Sequence, residues 1–453
     1  MATRADVERV IKEHTIHTVK IGIPDMDGVY RGKRVPVSNF LDGMEGGFAQ
    51  CDVLFGWDIA EDLIPNLKFT GWDTGYPDVW MKPDLSTFSP VTWEDGVAQV
   101  VCDFVGEHGE LIPISPRAVL KRVLERAAAR GYRVELALEL EFRIFRETQA
   151  SLRAKNWRDL TPISPTNSCY SIHRASGDDF LLGTIMRQMN AAGIPIEGYN
   201  REHGPGMYEM NLHHATGVLA ADQAMLFRNG IKEMCLQHEM TACFMAKWNH
   251  DQDGSSGHLH QSLWDKAGNN IFYDASAPHH ISEAMQQYAA GVLKLLPDFL
   301  AMYAPNINSY KRYIVGTWAP TTATWGYETR TTALRVVPGS PKATRLENRA
   351  PGADTNPYLA MAASLAAGLY GLEHKLELPP PARRNAYELS EDEAPPLPRT
   401  LEQAIERFNK SDLARECFGE DFVDLYVAMR RWEVDRYNRV VDEWQRERYL
   451  EMI

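Results

Sequence analysis

The sequence predicts an α+β protein in two parts, a small N-terminal domain over residues 1–107 and a larger one over residues 108–453. Three observations carry this expectation. The chain has 453 residues, past the size at which a single hydrophobic core usually stops growing. Period-two strand patterns alternate with helical stretches that have capping residues at their ends. A turn at Gly106–Gly109 and the proline-rich LIPISPR that follows it separate the last early strand from the first long helix.

Composition narrows the function. Apolar residues make up 44% of the chain, enough for an ordered protein with no disordered majority. The formal net charge is −13, which opposes attraction to nucleic acid but permits a local positive pocket. The six cysteines, at 51, 102, 169, 235, 243 and 417, form no CxxC pair, and such sparse usage favours a reducing compartment. MATRADVERVIKEHTIH has no apolar signal core, and no run reaches the roughly 18–20 apolar residues needed to span a bilayer. The expectation is a soluble cytoplasmic protein without a membrane or nucleic-acid partner.

In chain order, Thr3 caps a helix running to about His14, and HTVKIGI and GKRVPV read as strands around the turn at Asp27 and Gly28. Residues 39–88 read as loops and short strands, and VAQVVCDFV at 97–105 as a strand. Ser115, Pro116 and Gly131 supply the cap, first turn and exit of a helix through AVLKRVLERAAAR. In VELALELEFRIF, Val134, Leu136, Leu138, Leu140, Phe142 and Ile144 take one strand face, and Glu139 and Glu141 share the other. Helices follow over about 219–247 and 282–295, then strands in TTALRVV and TRLENRA, then a helix in NPYLAMAASLAAGLYGLEHK. Residues 379–398 read as a surface crossing, Thr400 caps LEQAIERFN, and a last helix covers about 420–446. No fixed-period repeat indicates a solenoid.

Two constellations suggest chemistry. The first is acidic: Glu139 with Glu141, Glu202 near Glu209, and His258 with His260 are pairs suited to hard divalent ions and phosphate chemistry. Each pair alone is a weak signal, since solvated or salt-bridged strand positions and turn or core roles are the commoner use of such residues. The second is basic: Arg312, Arg330, Arg335, Lys342, Arg345 and Arg349, of which the last two flank Glu347 on one face of TRLENRA, so that two guanidinium forks could meet anions around a carboxylate.

With these residues in place the chain resembles the glutamine synthetase superfamily over nearly its whole length, in ELEF (139–142), EHGPGMYEMN (202–211), GSSGHLHQSL (254–263), NSYKR (308–312), TRTTALRV (329–336) and SPKATRLENRAPGADTNPYL (340–359). The resemblance implies an N-terminal β-grasp-like domain, a catalytic α/β domain whose antiparallel sheet forms an active-site funnel, and sites completed between subunits of stacked hexameric rings, up to a dodecamer. It implies ATP and two Mg²⁺ or Mn²⁺ ions, one held by Glu141, Glu202 and Glu209 and the other by Glu139, His258 and Glu347. It sends Arg312 and Arg349 to glutamate, Arg330 to the transferring phosphoryl group, and Arg335, Arg345 and Lys342 to phosphates, with His260 and Ser262 beside the nucleotide. The implied reaction phosphorylates the γ-carboxylate of glutamate and lets an amine attack it.

The pattern breaks in places that bear on the amine. Ammonia-using members of the family carry YE in the flap where this chain has Thr317 and Trp318. The family's Asp-Gly-Ser-Ser ammonium segment is absent from GGFAQCDVLFGWDI, where Asp52 could shift into that role and Phe48, Phe55 and Trp57 offer apolar walls. Met207 stands for a usual Gln, Asp253 for a usual Asn, and Tyr387 lies near a tyrosine that some bacterial relatives modify. These departures point to a small primary monoamine, an alkylamine, ethanolamine or an aromatic amine, with Trp318 lining its pocket. The alternatives are ammonia, or a polyamine, for which Glu328 alone supplies no acidic channel. A catalytically weak, ring-forming regulatory protein is disfavoured by the full set of acidic and basic residues.

Overall fold

A computed structural model describes residues 2–382 and 385–453. The helices are α1 (Arg4–Glu13), α2 (Val37–Gly43), α3 (Pro116–Ala129), α4 (Gln149–Ala154), α5 (Ile172–Ala191), α6 (Val218–Gln237), α7 (Glu283–Tyr303), α8 (Pro357–Glu373), α9 (Leu401–Lys410), α10 (Asp412–Phe418), α11 (Glu420–Tyr437) and α12 (Glu443–Tyr449). The strands are β1 (Thr18–Pro24), β2 (Tyr30–Pro36), β3 (Phe48–Cys51), β4 (Asp78–Pro83), β5 (Ser89–Pro90), β6 (Val97–Val105), β7 (Arg133–Phe145), β8 (Ile196–Arg201), β9 (Met207–Leu212), β10 (Ala215–Thr216), β11 (Thr241–Cys243), β12 (Gly257–Trp264), β13 (Trp325–Tyr327), β14 (Leu334–Val337) and β15 (Arg345–Asn348). No helix among the described residues is long and apolar enough to cross a membrane.

The caps fall where side-chain oxygens can accept backbone N–H groups. Thr3 opens α1, Ser115 opens α3 ahead of Pro116, and Thr400 opens α9. Four boundaries differ from the sequence reading. Residues 37–43 form α2, where loops were expected. The tract expected to be helical through Lys247 stops at Gln237, because Glu239 takes a left-handed φ of 56° and turns the chain into β11, which pairs with β7. Helix α7 runs on to Tyr303 through Pro297, since its buried apolar side outweighs proline's propensity. The last helix divides in two at Asn438–Asp442.

Strands β1–β6 make one sheet in the order β2-β1-β6-β4-β3, with β5 on β6. Strands β7–β15 make a nine-stranded mixed sheet in the order β13-β14-β15-β12-β7-β9-β8, with β10 and β11 also on β7. The long β7 shows why the second sheet has two different faces. Leu136, Leu138, Leu140 and Phe142 are at most 2% exposed and meet the helix layer in which α6 packs on β7 and α8 packs on α3, α6 and α7. Burying such a side chain contributes about 1.5–3 kcal/mol. The opposite face is therefore left to Glu139, Glu141 and their neighbours.

Three buried arginines fasten the two sheets together. Arg117 of α3 is fully buried and donates to Asp222 at 2.9 and 2.8 Å, to Asp103 at 2.7 Å and to Asp84 at 2.7 Å. Arg228 of α6 donates to the Gly28 carbonyl at 2.6 Å and the Thr355 carbonyl at 2.8 Å. Arg430 of α11 meets Asp27 at 2.7 Å.

Candidate active site

Register brings together side chains that are far apart in sequence. Glu141 on β7 lies opposite Glu209 on β9, and Glu139 lies opposite His258 on β12. His260 lies opposite Glu347 on β15, which lies opposite Arg335 on β14. These residues share the polar face of the sheet because each stands at the same parity along its strand. Glu202, just past the end of β8, closes the row and accepts from Asn200 Nδ2 at 2.8 Å.

At one end the acids crowd one another. Burial, with the charges of Glu139, Glu141, Glu202 and Glu347 behind it, pushes the Glu209 carboxyl up to about 9. Burial also raises Glu141, helped by the charge of Glu202 and opposed by hydrogen bonds from Ser256. Carboxylates crowded so that Glu209 and Glu141 are driven toward their protonated forms are a donor set matched to a hard divalent ion.

The other end is compensated. Glu347 is fully buried, yet His258, Arg349 and His260 overcome the burial and hold it down at about 2. One of its oxygens takes Arg335 NH1 at 2.8 Å and the other takes Arg349 NH1. His258 Nδ1 stands 3.1 Å from Glu139 and 3.5 Å from Glu347. Burial and the charge of Arg349 lower His258 to about 4, so it is neutral at pH 7 and has a lone pair to give.

Glu139, His260 and Glu347 can also bring ligand atoms within 4.8 Å of one another, so geometry alone leaves two candidate histidines. Hydrogen-bond partners assign each ring its tautomer. Arg345 Nε donates to His260 Nδ1 at 3.0 Å; a guanidinium cannot accept, so the proton of a neutral His260 sits on Nε2. That Nε2 is buried without a hydrogen-bond partner, although Glu139 Oε1 lies 3.1 Å away. An N–H aimed into the site suits an acceptor such as a phosphate oxygen and argues against His260 as an ion ligand. His258 Nδ1 faces the Glu139 carboxylate, which only accepts, so the proton of the neutral ring sits on Nδ1 and its lone pair on Nε2, for which no hydrogen-bond partner stands among the described residues.

The arginines show the same unmet demand. Arg312 is buried and spends NH2 on the carbonyls of Arg349, Ala350 and Pro351, while its Nε has no partner. Arg349 Nε is likewise unpartnered, and its NH2 reaches the Trp318 carbonyl at 3.4 Å. Buried guanidinium N–H groups left without a partner fit an anionic substrate. Ser262 lies one strand step beyond His260 and accepts from Trp264 Nε1 at 3.0 Å. Arg330 and Lys342 stand exposed on turns, outside the hydrogen-bonded cluster.

Trp318 is 62% exposed, with a left-handed φ of 62°. Ile314 and Val315 before it are exposed as well. The apolar walls read from the early segment are different. Phe55 is fully buried against Phe69 and Phe104, and Phe48 stacks on Phe40, so both serve the core of the first sheet. Trp57 lies under Arg31, and Asp52 is buried and accepts from Thr70 at 2.7 Å. Sequence reasoning missed Cys169, whose Sγ lies 3.8 Å from Glu202, and noted Tyr387 only for its likeness to a modified tyrosine, whereas its hydroxyl donates to the Ala319 carbonyl in the flap at 2.8 Å. Neither contact has a periodic neighbourhood that would reveal it.

Comparison with known proteins identifies the chain's relatives. Residues 113–449 match the family described as glutamine synthetase, catalytic domain. A glutamate–isopropylamine ligase from Pseudomonas sp is 43% identical over 449 residues, covering 99% of this chain and 98% of that protein. A type-1 glutamine synthetase 2 from Dictyostelium discoideum is also 43% identical, over 438 residues, covering 96% of this chain and 84% of that protein. A solved structure described as apo GmaS without ligand superposes with a TM-score of 0.86 at 26% identity, covering both chains completely.

Proposed function

The chain belongs to the glutamine synthetase superfamily, and from that membership we propose that it joins the γ-carboxylate of glutamate to a primary monoamine. It is an ATP-dependent carbon–nitrogen ligase of the glutamate–amine type. The observation that carries the monoamine reading is Trp318, an exposed indole on the flap beside Arg349, where ammonia-using relatives place an acid. An indole offers a π face and apolar area to an alkyl, hydroxyalkyl or aromatic amine. Ammonia has no surface to use either. The relative named for isopropylamine supports this reading. Ammonia is the second reading, favoured by the equal identity of the Dictyostelium relative.

The residues divide the work as follows. Arg312 and Arg349 hold the carboxylates of glutamate, and their unpartnered Nε groups are the donors available for it. Arg335, Arg345, Lys342 and His260 meet the phosphates of ATP, Ser262 lies beside the nucleotide, and Arg330 on the rim meets the phosphoryl group in transit. Glu141, Glu202 and Glu209 would hold one Mg²⁺ or Mn²⁺ and Glu139, His258 and Glu347 the other, and the ions would supply neutralisation of phosphate charge. A γ-carboxylate oxygen attacks the terminal phosphorus and ADP leaves. The neutral amine then attacks the acyl carbon, phosphate leaves, and the nitrogen gives up one proton. Arginine charge placed where negative charge collects stabilises both steps. Family membership also supports stacked hexameric rings, up to a dodecamer, with each site completed by a neighbour.

The test is a mass-spectrometric amine screen with purified, metal-supplied protein. ADP, phosphate and a γ-glutamylamide should form with glutamate and a monoamine. Product with ammonia alone, across adequate concentrations of larger amines, would replace this reading with glutamine synthesis.

A further inference from the structure

Arg335 is held from two sides, and the two sides are unequal. Glu347 takes NH1 at 2.8 Å and is fully buried. Glu328 takes Nε at 2.9 Å and NH2 as well, both on its Oε2, and its side chain is 50% exposed. Three of the five guanidinium N–H groups are thus engaged, which leaves two for any other acceptor.

Glu328 reaches this position at a cost. It stands just past β13 with a left-handed φ of 50°, a conformation unusual for a side chain of this kind, and its own N–H is committed to the Val336 carbonyl at 3.1 Å. The turn therefore holds the carboxylate against Arg335.

We propose that Glu328 is the exchangeable counter-ion of Arg335, a positioning residue that holds the guanidinium until a nucleotide binds and then surrenders it to a nucleotide phosphate. This rests on the reading of Arg335 as a phosphate-binding residue. Glu347 cannot be the one released, because breaking a fully buried pair leaves an uncompensated charge in the interior. Glu328 can, because water solvates its carboxylate as soon as it turns outward. While it stays, its charge competes with the incoming phosphate for the same donors. Glu328 thereby weakens nucleotide binding, for substrate ATP and for product ADP alike.

The experiment is equilibrium titration of the assembled, full-length protein with the Mg²⁺ complexes of ADP and of a non-hydrolysable ATP analogue, without amine. Glu328→Gln keeps an acceptor and removes the charge, and it should bind both nucleotides about three- to fivefold more tightly, the scale of an exposed ion pair. The gain should shrink at high salt. In an Arg335→Met background the same substitution should change nothing, which a general effect on the turn would not reproduce. Equal or weaker binding by Glu328→Gln, or the same gain without Arg335, overturns the proposal. If the unaltered protein binds neither nucleotide, the ligase reading falls first and takes this inference with it, whereas normal ligation with an unchanged Glu328→Gln affinity removes this inference alone.

Discussion

Replacing Glu209 with Gln should stabilise the protein in the absence of divalent ions and destabilise it, relative to the native sequence, in their presence. The folded carboxyl is pushed up to about 9 from an ordinary value of 4.5, by burial and by four neighbouring acids. Below pH 4.5 both folded and unfolded states hold the proton, so the group is neutral to stability. Between 4.5 and 9 only the folded state holds it; unfolding releases a proton, and stability falls as pH rises. Above 9 the loss is complete. At pH 7 the span from 4.5 corresponds to about 3 kcal/mol at 1.36 kcal/mol per pH unit. The carboxyl is only partly buried and shares its titration with the cluster, and water and side-chain movement reduce the penalty, so about 1–2 kcal/mol is expected. Unfolding of EDTA-treated protein at pH 6 and pH 8, at matched concentration and assembly, measures this directly. The native sequence should lose stability across that interval and the Gln variant should not. Mg²⁺ or Mn²⁺ at a hundred times its dissociation constant should then add about 2.7 kcal/mol to the native protein and much less to the variant. A Gln variant no more stable than the parent in EDTA would refute the crowded-acid account.

Three further outcomes follow from the same geometry. Trp318→Ala should lower kcat/KM for the preferred monoamine about five- to fiftyfold, or about 1–2.4 kcal/mol of apolar contact, with little change for ammonia at saturating ATP and glutamate; equal losses would mark a general role in flap closure. Glu347→Ala leaves Arg335 and Arg349 facing each other without their shared buried carboxylate, so about 3–5 kcal/mol of stability should go along with ion binding and phosphoryl transfer, as titration and product assays on intact assemblies would show. Tyr387→Phe removes the hydroxyl that donates to Ala319 and should raise KM for the amine about two- to fivefold, at roughly 0.5–1 kcal/mol for one hydrogen bond, while the unfolding midpoint stays put.

Much of the local structure could be read from residues that act within a few positions of one another. The alternation in β7 and the caps at Thr3, Ser115 and Thr400 are of this kind. Helix α5 escaped notice because Gly177, Asp178, Asp179 and Gly183 interrupt its apolar pattern, and it is retained by tertiary contacts such as Asp178 with Arg201 at 3.0 Å. The end of α6 was misjudged because β11 gains its ladder from β7, almost a hundred residues away in sequence. The site divides along the same line. The candidate acids and arginines could be named from motif blocks, but the pairing of Glu141 with Glu209 and of His260 with Glu347 depends on strand register. The tautomer of His260 and the grip of Glu328 on Arg335 depend on side-chain placement, about which spacing says nothing.

The arginine fastening of the two sheets has a consequence for recombining this enzyme with its relatives. A crossover at the proposed boundary between residues 107 and 108 looks natural, because it cuts no strand and no helix. It would nevertheless part Arg117 from Asp84 and Asp103, Arg228 from the Gly28 carbonyl, and Arg430 from Asp27. Each guanidinium would then have to find matching acceptors in a foreign N-terminal piece, at about 3–5 kcal/mol for a buried charge left without its partner. Shuffled chains should therefore survive only when the donor segment brings acids at positions 27, 84 and 103 and a turn that presents a carbonyl at 28, which makes the N-terminal hundred residues a fitted component of the enzyme and not an interchangeable cassette.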